Sequence, residues 1–342
     1  MADERVPRPV LHGVRHEGGG ILRLYLDCDT GIDDALAIAY LLACPRVTLA
    51  GVGTAAGNTS AGQAGRNTLG LLHLAGRPDI PVCVGGEETG GEETGGEETG
   101  GEETGGDGES RGGGAEPVHG SNGVGGVTLP AGGPADPRAP WQLLIDLARE
   151  HPGELHVLVT GPATNVARAL RESPELPGLV ASVTVMGGAV RAPGNITPRA
   201  EANIRNDPRA AATVLAAPWP VTLVPLDVTM RHRWTEDDRA ALRAGGTPLH
   251  ETLAAMLPAY FASYESRTGI REIPLHDPLA AAIAVGEVTP ADAPELPLRV
   301  DAEGGVREDQ TAASRVRVVL ALDSPAGPVI LRRILADAES VA

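Results

Sequence analysis

Lysine is absent from this chain of 342 residues, so all 28 basic side chains are arginines. That absence removes Schiff-base and pyridoxal-phosphate chemistry, and with them the lysine of a phosphate-binding loop. Aromatic side chains are nearly as scarce: three Trp, four Tyr and one Phe offer few platforms on which bases could stack. Positive charge is short as well, because 28 arginines face 45 acidic residues for a formal net charge of −17. A chain that cannot neutralise phosphates is not expected to bind nucleic acid. No apolar run approaches the roughly 20 residues that span a bilayer, and the first twenty residues lack the continuous apolar stretch of a signal peptide. No membrane partner is therefore expected. Cys28, Cys44 and Cys83 form no C-x-x-C pair, and an odd, dispersed set reads as reduced thiols in a cytoplasmic protein.

What is present suffices for one large core, since 42% of residues are hydrophobic. The charge is unevenly placed. Residues 85–116 repeat GGEET four times and hold ten Glu, one Asp and one Arg, a net of −10 out of −17. Such a segment buries too little apolar area to offset its ordering entropy, so it reads as a disordered low-complexity insertion and not as a cation-binding element. Residues 1–20 read as a loose, disordered polar tail. The expected domain is then 21–342, interrupted at 85–116.

Apolar runs at 21–28, 47–53, 80–84, 155–160, 179–186 and 219–226 read as strands, with a late one at 314–322. Helical patterns lie between them, at 33–43, 60–75, 140–150, 163–172 and from about Pro208. The segment 235–285 is mostly helical, and a last helix covers about 327–339. Alternation of this kind predicts a single α/β domain, with a mostly parallel central sheet flanked by helices. Ligands of such sheets bind beyond the carboxyl ends of the strands. The chemistry is expected in the loops after Cys28, Gly53, Thr160, Met186 and Leu226.

At the first of those ends stands Asp27-Cys28-Asp29-Thr30-Gly31-Ile32-Asp33-Asp34. Helix capping by Asp33 or Thr30 accounts for one or two of the four acids. A hard cation accounts for the rest, because calcium takes six to eight oxygens. Asp27-x-Asp29 is also how metal-dependent phosphatases of the haloacid dehalogenase type begin. Their next Thr or Val is Gly31 here, and their later phosphate-holding lysine is missing.

From about Ile21 to Ala336, apart from the insertion, the sequence resembles the calcium-dependent nucleoside hydrolases, inosine–uridine-preferring and related. LDCDTGIDDALA is similar to that family's opening signature. Gly57-Asn58-Thr59, His119-Gly120, Thr160-Gly161-Pro162-Ala163-Thr164-Asn165 and Met186-Gly187-Gly188 follow in the family's order. After them come Asn195, Glu201-Ala202-Asn203, Asp207-Pro208, Asp227-x-Thr229 and His276-Asp277-Pro278. The resemblance implies hydrolysis of ribonucleosides to ribose and a free base. It also implies a homo-oligomer, and calcium held by Asp29, Asp34, Asp277 and the Thr160 carbonyl, with water and the ribose diol completing the shell. By the same resemblance, Asp29 is the general base, and Asp33, Asn58, Asn195, Glu201 and Asn203 bind the ribose, with Met186 lining that pocket. His276 would protonate a purine leaving group, and His119 would sit on an active-site loop. Tyr260 and Tyr264, four apart on a helix, read as either packing residues or base contacts.

The chemistry agrees with that assignment. Cleaving an N-ribosidic bond builds positive charge on the sugar, which surrounding carboxylates favour. A bound divalent ion lowers the pKa of the attacking water. Two bland readings stand beside it. Asp277-Pro278 and Asp207-Pro208 are both good helix starts, with Asp as N-cap and Pro at N1; the second is assigned to structure. Ala202 is small where the family often has an aromatic. A nucleoside-binding protein with weak turnover is the non-enzymatic alternative.

Overall fold

The computed structural model describes residues 20–86, 116–312 and 314–336. The tail at 1–19 and nearly all of the acidic insertion lie outside the described residues.

Among the described residues, the central sheet has eight strands. Six carry the architecture: β1 (Leu22–Cys28), β2 (Val47–Thr54), β3 (Val82–Val84), β4 (Leu155–Val159), β5 (Val180–Met186) and β6 (Val221–Val224). Their order across the sheet is β3-β2-β1-β4-β5-β6, all parallel. Val316–Val318 extends it in parallel beyond β6, and Glu295–Leu296 closes that edge antiparallel. This is the doubly wound order, in which the chain reverses direction across the sheet between β1 and β4.

Parallel strands covered on both faces must be apolar on both faces. The β1 run LRLYLDC meets that condition, with only Arg23 partly exposed. Leu24, Leu26 and Cys28 pack in one core cluster, against α1 (Ile32–Leu42), the 21-residue helix Pro248–Thr268 and the helix His276–Ala284. Tyr25 points the other way, into a second cluster with the helices Pro140–Glu150, Thr164–Glu172 and Pro208–Ala216. The period-two alternation of one strand thus defines two cores.

The long helix is bounded by local chemistry. Thr247 accepts from the His250 N–H at 3.2 Å, Pro248 occupies the first turn, and Gly269 ends the helix in the left-handed region at φ 73°. Among the described residues, no helix is long and apolar enough to cross a membrane.

The main departure from the sequence reading is near the C-terminus. The expected strand 314–322 is two pieces, Val316–Val318 in the sheet and Ala321–Leu322 paired with Pro290–Asp292. A further small hairpin joins Leu298–Val300 to Val306–Glu308.

Candidate active site

Asp29 follows β1 and Thr160 follows β4, so the sheet's reversal point brings the two together. The tight turn after β1 feeds directly into α1. Its N-cap is Gly31, neither Thr30 nor Asp33, and the Asp34 carboxylate reaches back to accept the Gly31 N–H at 2.8 Å. Asp33 and Asp34 therefore occupy the first helical turn, where the helix dipole favours negative charge.

The acids are held by hydrogen-bond donors. Asn58, in the loop after β2, gives its backbone N–H to Asp29 Oδ2 at 2.7 Å. Its Nδ2 donates to Asp29 Oδ1 at 3.0 Å and to Asp34 Oδ2 at 3.1 Å. The Thr160 hydroxyl donates to Asp34 Oδ1 at 2.7 Å. Close approach explains the neighbouring Gly57: a Cβ there would sit 1.9 Å from Asp29 Oδ2. Asp29, Asp33, Asp34 and Asp277 are all buried. Oxygens of Asp33, Asp34 and Asp277 lie within 4.8 Å of one another.

Burial is the main force on these groups. It pushes the Asp33 and Asp34 carboxyls up to about 6, and raises Asp29 and Asp277 above the usual carboxylate range, with the neighbouring acids adding to the rise. Asp33 accepts from the Tyr260 hydroxyl at 3.1 Å through Oδ2, whereas its buried Oδ1, 3.9 Å from His119 Nδ1, has no hydrogen-bond partner among the described residues. Crowded, desolvated carboxylates with an unpaired oxygen are a donor set suited to a hard divalent cation. The Thr160 carbonyl, which accepts from Asn203 Nδ2 at 2.8 Å, keeps a second lone pair for such an ion.

A small cleft, partly open to solvent, stands over the acids. Asp33, Asn58, His119, Thr160, Met186, Asn195, Glu201, Asn203, Tyr260, Tyr264, His276 and Asp277 all line it. Asp29 and Asp34 lie behind this lining and reach it through Asn58 and Thr160. On the sugar-motif side, Glu201 accepts from the N–H groups of Gly188, Asn203 and Ile204 at 2.9–3.1 Å. Asn195 accepts from the Ala202 N–H at 3.0 Å, and Asn203 Nδ2 also contacts the Met186 carbonyl at 3.3 Å.

The opposite wall is aromatic. The Ile32 N–H can only donate, so His119 Nδ1, 3.1 Å away, is the acceptor and the ring's proton is on Nε2. Burial lowers the His119 pKa to about 4, and it lowers that of His276 to about 3. Both rings are therefore neutral at pH 7. His276 lies between the Thr229 hydroxyl, 2.8 Å from Nδ1, and the Tyr264 hydroxyl, 2.9 Å from Nε2. Tyr260 meets Tyr264 edge-on at 5.1 Å and His119 at 5.4 Å.

Some contributors escaped the sequence reading. Arg267 lines the cleft with its guanidinium carbon 4.4 Å from the centre of the Tyr264 ring. Its position three residues after Tyr264, one turn along the same helix, is the signal that could have found it. Thr229 was visible as a motif residue, but its bond to His276 was not. Ile196, half exposed, lines the rim. Asp277 also departs from expectation, because the N-cap of its helix is Leu275 and not Asp277.

Comparison with known proteins decides the family. Residues 24–327 match the model of the inosine-uridine preferring nucleoside hydrolases. The chain belongs to this family. It is 35% identical over 264 residues to the pyrimidine-specific ribonucleoside hydrolase RihA of Citrobacter koseri, a match covering 76% of this chain and 78% of that protein. It is 34% identical over 258 residues to the probable uridine nucleosidase 2 of Arabidopsis thaliana, covering 75% of each. The solved structure of a purine-preferring ribonucleoside hydrolase from Gardnerella vaginalis superposes with a TM-score of 0.80 at 30% identity, over 94% of this chain and 100% of that one. The nucleoside hydrolase reading of the sequence holds, and the chain is an N-ribosyl hydrolase of ribonucleosides. The phosphatase alternative fails with it, because the match over residues 24–327 is to nucleoside hydrolases.

Proposed function

We propose that this nucleoside hydrolase uses calcium, held by Asp29, Asp34, Asp277 and the Thr160 carbonyl, to cleave ribonucleosides at this cleft. The observation that carries the reading is the buried acid cluster: Asp34 and Asp277, two of those ligands, lie with Asp33 in a set of carboxylate oxygens within 4.8 Å of one another, and the Asn58 amide bridges Asp34 to Asp29. When bound, the ion would fix the ribose diol and acidify the attacking water. Asp29, braced on both oxygens by Asn58, accepts the proton of that water. Asp33, Asn58, Asn195, Glu201 and Asn203 hold the sugar, and their negative charge and carbonyl dipoles favour the cationic ribosyl group as the bond breaks. Met186 supplies the apolar floor.

His276 is the proposed proton donor to the departing base. Being neutral, it relays a proton: as one ring nitrogen gives its proton toward the base, the other takes one that originates in solvent and passes through the flanking Thr229 or Tyr264 hydroxyl, so the imidazole and the hydroxyl both end neutral. His119, Tyr260 and Tyr264 form the base side of the pocket. The names of the curated relatives make uridine the first substrate to try, with inosine beside it. A cytoplasmic location and a homo-oligomeric assembly belong to the same proposal; three free, buried cysteines suit a reducing compartment.

The test is release of reducing sugar from uridine and inosine by chelator-treated protein, with and without added calcium. Calcium-dependent ribose release is expected. Tight nucleoside binding without ribose release would favour a binding protein, and full turnover in excess chelator would end the calcium reading.

A further inference from the structure

The motif at residues 160–165 ends in Asn165, to which the cleavage reading assigns no task. Asn165 stands in the first turn of the helix Thr164–Glu172 and is buried. Its Nδ2 donates to Asp27 Oδ1 at 2.9 Å and to the Thr54 carbonyl at 3.1 Å. Asp27 is the penultimate residue of β1, and Thr54 is the last of β2. One amide thus ties the carboxyl ends of two strands to the helix that follows a third. A backbone bond runs beside it, from the Thr160 N–H to the Asp27 carbonyl at 2.8 Å.

Each tied end carries a residue of the acid cluster. Asp29 follows Asp27 by two positions, Asn58 follows Thr54 by four, and Thr160 precedes Asn165 by five. The Asp27 side chain takes no part in the cleft lining. Its Oδ2 is buried without a partner among the described residues, so the amide on Oδ1 is what compensates this carboxylate. A buried acceptor stripped of its donor is costly, and the strand ends would relieve that cost by moving apart. Cation ligands tolerate displacements of only about 0.2 Å.

We propose that Asn165 and Asp27 are a positioning pair that sets the separation of the Asp29 and Thr160 turns, and so the affinity of the acid cluster for its divalent cation. The inference rests on the calcium reading above. Neither residue touches substrate.

The experiment is a calorimetric calcium titration of the chelator-treated full-length chain, with uridine kinetics in saturating calcium alongside. Wild-type protein comes first, because failure to bind calcium there removes the calcium reading itself. Asn165→Asp keeps the size of the side chain but replaces its donor with a second carboxylate facing Asp27. Calcium affinity should fall by about tenfold, the lower end of what losing a direct partner of a metal ligand costs, with KM in saturating calcium changed less than about threefold. Asp27→Asn added to Asn165→Asp returns a donor to the pair from the other side, while the Gly85 N–H still serves the Thr54 carbonyl. That double variant should recover calcium affinity to within about threefold of wild type, a rescue that general loss of stability would not show. Wild-type affinity in a folded Asn165→Asp protein would overturn the proposal, as would a double variant no better than the single. Should Asn165→Asp not fold, Asn165→Ala removes the donor without adding charge; a weakening of fivefold or more supports the pair, and unchanged affinity overturns it.

Discussion

Two Asp-Pro steps open two helices on opposite faces of the sheet, and the same dipeptide does different work in each. In Asn206-Asp207-Pro208 the acid is the N-cap: Asp207 Oδ1 accepts from the Ala210 N–H at 2.9 Å, and Oδ2 accepts from the Thr164 hydroxyl at 2.9 Å. Both oxygens are satisfied, one of them by the helix it starts. In His276-Asp277-Pro278 the helix begins at His276, one residue before the acid, with Leu275 as N-cap. Asp277 therefore stands two positions further into its helix than Asp207 does, about 200° of rotation. That shift takes the Asp277 carboxylate off its own helix and sets it among Asp33 and Asp34. Local sequence permits both outcomes, because Pro is tolerated throughout a first turn where N–H groups have no helical partner. What separates them is the company each acid keeps: donors around Asp207, other acids around Asp277.

The comparison breaks most visibly if Asp277 is not a cation ligand. Asp277→Asn should weaken calcium binding by more than the 10–100-fold typical of an outer partner, with uridine turnover falling in step at limiting calcium. Calorimetry on the chelator-treated variant checks it; unchanged affinity would reduce Asp277 to another structural acid. Asp29→Asn keeps an oxygen toward the ion but loses the base, so nucleoside binding should survive in part while kcat falls by about 10²–10⁴. Near-normal turnover in a folded protein would show that another group takes the proton. His276→Ala probes the first residue of the same step. It should cost about 10² on inosine or uridine and only a few-fold on nitrophenyl riboside, whose leaving group needs no proton. Equal losses on both would make His276 a positioning residue.

The acid company also predicts an inverted pH response. Burial raises the Asp33 and Asp34 pKa values to about 6 from an unfolded value near 3.8. Between those limits the native state binds more protons than the unfolded chain, so this contribution is full below about pH 4 and is lost as pH rises through 6. Chelated protein should therefore melt about 5 °C lower at pH 7.5 than at pH 5. Saturating calcium, which favours the ionised acids, should remove that difference. A pH-independent melting temperature without metal would mean the acids are already compensated, as Asp207 is.

Sequence alone separated the two steps only through the family resemblance, which assigned one to chemistry and the other to structure. The sheet was legible because its central strands are continuous apolar runs, such as Leu24–Leu26 and Val157–Val159, between helices of ordinary length. The region 290–308 was not, since pairs of two or three residues such as Glu295–Leu296 carry no periodic signal. Within the site, the acids announced themselves by crowding. Arg267 did not, because an arginine in the last turn of a helix reads as solvated surface. The Thr229–His276–Tyr264 chain joins three elements and has no local signature at all.

Asp207→Ala carries the smallest effect and the sharpest control. It removes an N-cap bond, worth about 1 kcal/mol, and leaves the Thr164 hydroxyl without its acceptor, at a further cost of about 1 kcal/mol. In a protein of this size that lowers the melting temperature by only about 2–4 °C. Thr164 opens the helix that follows Thr160 and also carries Asn165, so some slackening could reach the acid cluster, but Asn203 and Asn165 hold that segment independently. Calcium affinity and uridine kcat should therefore stay within about twofold of wild type, while stability drops by an amount that substitution of Asp277 in metal-free protein would not reproduce. Loss of calcium binding in the Asp207 variant would erase the distinction between the two steps, and would make the 160–165 segment, not the acid's immediate company, the element that decides which aspartate serves the site.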